Sequence, residues 1–155
     1  MPATHVEMTV LALMPTPKGA AVLLADREGE VALPIFIGGT EALSIALRHE
    51  DRRYARPLTH DLLDAIMSRL GGELVKVHID DVQNGVFIGT VFVRQGERLI
   101  SVDARPSDAI ALAVGDGVPI FVARRVLATA GIRREDLERD DKKMPPLPAG
   151  GVEQL

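Results

Sequence analysis

The sequence predicts an α+β domain: a compact mixed or antiparallel sheet built from a duplicated strand-strand-strand-helix unit, with an inter-repeat helix and C-terminal helices. Three observations predict it. The chain repeats itself at an offset of 67 residues: Arg27 aligns with Arg94, Gly29-Glu30 with Gly96-Glu97, Leu33 with Ile100, Ile35 with Val102, and Thr40–Leu47 with Ser107–Val114. Paired Gly-Glu turns at one offset favour duplication over chance likeness between two strand-helix units. Asn84-Gly85, set between apolar runs, is a two-residue hairpin signal. Finally, three strands and one helix cannot cover their own apolar face, so two copies must share a core.

In the first copy, residues 5–14 form a strand, Lys18-Gly19 turns the chain, residues 20–26 return, and Val31–Ile37 is a third strand. Gly38-Gly39 then opens a helix from Thr40 to about His49. Between the copies a second helix begins at Thr59, a good N-cap, with Leu58 and Leu63 placed as a hydrophobic staple. Its inward stripe is Leu62, Leu63, Ile66, Met67 and Leu70, and Gly71-Gly72 ends it.

In the second copy, Leu74–Asp81 alternates, with Val75, Val77 and Ile79 on one side and Lys76, His78 and Asp80 on the other. Val86–Val93 is apolar on both faces and reads as a central strand. Residues 107–114 are apolar all round and predict a deeply buried helix, with Pro106 suited to its first position. Pro119–Ala123 is a short strand, and Arg124–Ala130 a short helix stopped by Gly131. The domain runs over residues 1–132. The tail, 133–155, mixes charges with Met144-Pro145-Pro146-Leu147-Pro148 and is expected to be mobile or loosely attached.

At 155 residues the chain is long enough to bury about 70% of its unfolded surface as one domain. It has no cysteine, which excludes disulfides and thiolate zinc sites. The first residues lack a basic segment leading into an apolar stretch, and no apolar run is long enough to span a membrane. A cytoplasmic protein with no membrane contact is expected. The net charge of −4 and an aromatic set of one Tyr and four Phe argue against a large phosphate-neutralising or base-stacking platform.

The chemistry-bearing segment is Asp103-Ala104-Arg105-Pro106-Ser107-Asp108, where an apolar strand meets an apolar helix. Charges at such a junction are costly unless they pair or bind something. Asp103 and Asp108 could hold Mg²⁺ or Mn²⁺, with Arg105 on a phosphate oxygen. Equally, Arg105 could bridge the two acids as a structural ion pair. Glu41 is the first-copy counterpart of Asp108, a third possible metal ligand if the halves converge and otherwise a helix-start acid. His60 offers a general base or metal ligand and Asp61 a ligand or an orienting group; both also suit a solvated first helical turn. Arg52, Arg53 and Arg56 around Tyr54 form the one locally basic stretch with an aromatic, a candidate nucleic-acid contact interrupted by Glu50 and Asp51. His5, His49 and His78 show no ligand spacing and read as structural.

Leu33-Pro34-Ile35-Phe36-Ile37-Gly38, Glu41-Ala42, Arg56-Pro57-Leu58-Thr59-His60-Asp61-Leu62-Leu63, Asp103–Asp108 and Pro119-Ile120-Phe121-Val122 stand in the order of motifs of the bifunctional nuclease domain family, which the chain resembles over residues 5–132. The resemblance implies a compact α+β domain, hydrolysis of RNA and DNA by some members, and homo-oligomers. The expected function is therefore a metal-assisted nuclease cleaving phosphodiester bonds in RNA or single-stranded DNA, with His60, Asp61, Asp103, Arg105 and Asp108 as catalytic candidates. The alternatives are a non-enzymatic binding module for a nucleotide, an anion or a protein, or an oligomer-forming protein with a salt-bridged polar cluster.

Overall fold

The computed structural model describes residues 4–141, and side chains through residue 137. The chain runs β1 (His5–Thr16), β2 (Gly19–Asp26), β3 (Val31–Ile37), α1 (Gly39–His49), α2 (Thr59–Arg69), β4 (Gly72–Gln83), β5 (Val86–Gln95), β6 (Arg98–Ala104), α3 (Pro106–Asp116), β7 (Ile120–Ala123), α4 (Arg124–Ala130), β8 (Ile132–Arg133) and α5 (Arg134–Asp141). The strands form one sheet in the order β6-β5-β4-β7-β1-β2-β3-β8. Among the described residues only the β4–β7 pair is parallel. Because β7 is antiparallel to β1 and parallel to β4, the two halves spread from β7 in mirrored order with opposed strand directions.

The duplication is real in the backbone. Adding 67 to the bounds of β1, β3 and α1 (5–16, 31–37, 39–49) gives 72–83, 98–104 and 106–116, the bounds of β4, β6 and α3. Met8, Leu24, Leu33 and Ile45 of the first half and Val77, Ile79 and Ile110 of the second share one core with Val122 and Val126. The Asn84-Gly85 hairpin is present, with both residues at positive φ (53° and 79°) as a tight two-residue turn requires. Pro106 is the first residue of α3, which buries Ala109, Ile110, Ala111, Leu112 and Ala113. Among the described residues no helix is long and apolar enough to cross a membrane.

Four expectations change. A bulge between Leu74 and Lys76 shifts the pleat, so Leu74 joins Val77 and Ile79 as buried while Val75 is only half-buried. β5 is hydrogen-bonded on both sides but lies one strand from the sheet edge rather than at its centre. The tail is folded at its start, since β8 pairs with β3 and α5 follows it; Met144–Pro148 lies outside the described residues.

The largest correction concerns α2. Leu58, not Thr59, is its N-cap residue, and Asp61 accepts the Leu58 N–H at 3.1 Å. The expected inward stripe faces outward, with Leu62, Leu63, Ile66 and Leu70 exposed and only Met67 packed on the core. The buried residue of this helix is His60. Its polar face (His60, Asp61, Asp64) is claimed by partners on α1 and α3, and those contacts turn the helix.

Candidate functional site

α1 and α3 lie against each other through equivalent positions. At one end Glu41 and Asp108 approach the same guanidinium, that of Arg105; at the other, Arg48 packs over Gly115. A Cβ at Gly115 would overlap the Arg48 guanidinium, so glycine is required there for packing. α2 crosses the pair and supplies His60 to one end and Asp61 and Asp64 to the other.

The first end is a hydrogen-bonded chain. His60 Nε2 lies 2.9 Å from Asp108 Oδ1, and His60 Nδ1 lies 2.6 Å from Ser44 Oγ. A carboxylate only accepts, so in the neutral ring Nε2–H donates to Asp108 and Nδ1 accepts the Ser44 hydroxyl hydrogen. Arg105 Nε donates to Asp108 Oδ2 at 2.9 Å, a second guanidinium nitrogen donates to Oδ1 at 3.2 Å, and a third reaches Glu41 Oε1 at 3.3 Å. Burial acts to raise the Asp108 pKa, but the hydrogen bonds from Arg105 and His60 and their charges outweigh it, so the carboxyl sits below its usual value. His60 is buried, whereas the Arg105 side chain is 63% exposed. Thr40, Leu43, Pro57 and Leu62 complete an open recess of about 510 Å³ over this chain.

The second end is an ion-pair hub. The Arg48 side chain is 3% exposed and donates to Asp61 at 2.7 Å, to Asp64 at 2.6 Å and to the Ala111 carbonyl at 2.6 Å. Asp116 adds a longer contact of 3.5 Å. Burial, then the hydrogen bond and charge of Asp64, push Asp116 up to about 6. Asp64 Oδ1 is buried with no donor, and Asp64 is the hydrogen-bond partner that favours a proton on Asp116.

The predicted residues therefore divide. Glu41, His60, Arg105 and Asp108 come together. Asp61 belongs to the Arg48 hub, where Arg53 also reaches it at 3.3 Å. Asp103 is exposed on β6, opposite Thr90, while Arg105 turns to Glu41 and Asp108. Arg53 and Tyr54 line a shallow recess of about 360 Å³ with Asp61 and Asp64, Arg52 lies 3.5 Å from Glu50, and Arg56 is exposed. Ser44 and Arg48 were missed as site residues. Their repeat counterparts are Ala111 and Gly115, so a polar residue set against a small one at equivalent helix positions was the available signal.

The model of the bifunctional nuclease domain matches residues 22–135, three-quarters of the chain and all of this constellation. The chain belongs to the bifunctional nuclease domain family. An uncharacterized protein of Mycobacterium tuberculosis is 41% identical over 134 residues, covering 86% of this chain and 79% of its own. The rice protein named bifunctional nuclease 1 is 27% identical over 120 residues, and bifunctional nuclease 2 of Arabidopsis thaliana is 26% identical over 132. This bifunctional nuclease domain spans only 36% and 40% of those plant proteins.

Proposed function

We propose that this domain hydrolyses phosphodiester bonds in RNA and/or single-stranded DNA, in the recess framed by α1, α2 and the start of α3. One observation carries the reading: Asp108, His60 and Ser44 form a continuous relay whose acidic end is held by an exposed arginine. Arg105, with three of its five N–H groups on Asp108 and Glu41, offers the two left over to a phosphate oxygen. Water attacks phosphorus, and its proton passes through the Ser44 hydroxyl to His60 Nδ1 while Asp108 stabilises the imidazolium at Nε2. The bond to the departing sugar oxygen breaks, and that oxygen takes the proton back by the same route. Tyr54, which lines the neighbouring shallow recess, and the exposed Arg56 extend the nucleic-acid surface, and an unpaired strand offers Tyr54 a base to stack on.

The acids do not form a ready cradle for Mg²⁺ or Mn²⁺. Arg105 stands between Glu41 and Asp108, and Asp103 lies apart. The proton moves through side chains alone, and Glu41 and Asp108 are the pair a cation would meet if Arg105 moved onto substrate. A binding module is the second reading, and it is favoured by the full engagement of both Asp108 oxygens. Association of copies through the apolar face of α2 belongs to the same proposal.

Labelled RNA and single-stranded DNA, incubated with the parent chain and with Ser44→Ala and His60→Ala, separate these readings. The relay predicts that cleavage falls by about 10²–10⁴-fold in either variant. Equal cleavage in parent and variants would refute it, and binding without cleavage would establish the module. Chelator and Mn²⁺ arms decide the cation, and a phosphoserine at Ser44 would replace water by Ser44 as nucleophile.

A further inference from the structure

A second cluster of ligand atoms lies on the sheet, away from the recess. His5 stands at the start of β1, and His78 and Asp80 lie on β4. β7 separates these two strands in the sheet order, so the cluster bridges the two halves of the duplicated core. We propose that His5 Nε2, His78 Nδ1 and an Asp80 carboxylate oxygen bind a divalent transition-metal ion of the zinc type, which ties β1 to β4 across β7.

The geometry fits such an ion. Asp80 Oδ1 lies 3.0 Å from His5 Nε2 and 3.4 Å from His78 Nδ1, and the three ligand atoms all fall within 4.8 Å of one another. Ligands about 2.0–2.2 Å from a tetrahedral ion stand roughly 3.3 Å apart, so small side-chain movements seat it. Among the described residues this is the one group of three side chains so arranged.

The outer contacts orient the ligands. Thr4 Oγ1 lies 2.9 Å from His5 Nδ1, which leaves Nε2 facing Asp80. Thr90 Oγ1 donates to Asp80 Oδ2 at 2.6 Å, which leaves Oδ1 facing the imidazoles. Such partners on the far side of each ligand are the usual support of a metal site. The His78 ring is wedged between His5 and Phe92, with ring centres 4.4 and 4.5 Å away. Lys76 is drawn over the Phe92 ring at 4.8 Å, and Arg125 is held on the Asp80 backbone carbonyl at 2.8 Å.

Access and donor type narrow the ion. The His5, His78 and Asp80 side chains are 24%, 14% and 28% exposed, enough for entry and for water in a fourth position. Two imidazoles and one carboxylate favour Zn²⁺, Co²⁺ or Ni²⁺ over Mg²⁺ or Ca²⁺. The spacing of the histidines in sequence concealed the site, because strand pairing through β7 brings them together.

The test is titration of the chelator-treated full chain with Zn²⁺ and with Co²⁺. One ion per chain is expected, with micromolar or tighter affinity, weakened at least tenfold in His5→Ala and in Asp80→Asn and unchanged in His49→Ala. The parent melting temperature should rise with Zn²⁺ and the variants' should not. Proton spectra of the parent with Co²⁺ need no variant and should shift the His5 and His78 imidazole signals while sparing His49. Absence of stoichiometric binding, equal binding in all variants, or shifts at other histidines would overturn the site and leave a hydrogen-bonded His-Asp-His cluster.

Discussion

Asp108 receives His60 on one oxygen and the Arg105 fork on both, and every role suggested for the recess depends on its staying ionised. Its pKa is depressed in the folded chain from an ordinary 3.8. The stability it contributes is therefore present above pH 3.8 and is lost as pH falls through the lower folded value. Asp108→Asn should flatten the acid limb of stability, and thermal melts from pH 2 to pH 6 check this. Arg105 is largely exposed, so its pairs contribute little to folding. Arg105→Gln should leave the melting temperature near that of the parent while raising the KM for a labelled oligonucleotide about tenfold or more.

At the scale of elements, α2 is joined to α1 and α3 through Arg48 and His60 rather than through its apolar stripe. Removing one partner of a buried ion network leaves the others uncompensated, so Arg48→Met should destabilise the fold by about 3–5 kcal/mol in denaturant melts. Gly115→Ala should destabilise it by the same route, displacing the guanidinium instead of deleting it. Asp116 has the opposite sign from Asp108. With its pKa raised to about 6, its favourable protonated form is complete below pH 3.8 and is lost as pH rises through about 6. Asp116→Asn mimics that protonated form. Its melting temperature relative to the parent should climb between pH 4 and pH 7.5, and a constant difference across that range would count against the shared proton with Asp64.

At the scale of the molecule, the duplication was legible in full, because alternation, the Gly-Glu turns and Asn84-Gly85 are local signals and the offset of 67 carried them into both halves. The gathering of Glu41, Arg105, Asp108 and His60 was legible only as a possibility. What escaped was long-range. The apolar stripe of α2 pointed the wrong way, because three polar side chains found partners on α1 and α3 that no pattern within α2 reveals. Val75 escaped because a bulge inserts one residue without a composition signal. The departures from repeat symmetry carry the most information. Gly38 stands against Arg105, Ser44 against Ala111 and Arg48 against Gly115, and in the last pair the glycine of one half leaves the room that the guanidinium of the other fills. The exposed Leu62, Leu63, Ile66 and Leu70 give copies an apolar face, and Ile66→Glu should lower the mass found by light scattering if they associate through it.

The most direct measurement is the single-turnover rate of cleavage of a labelled single-stranded RNA by the parent chain and by Asp108→Asn, both shown to be folded at the assay pH. The relay predicts cleavage by the parent and a loss of at least tenfold in the variant. Undiminished cleavage by Asp108→Asn would place the chemistry outside this recess.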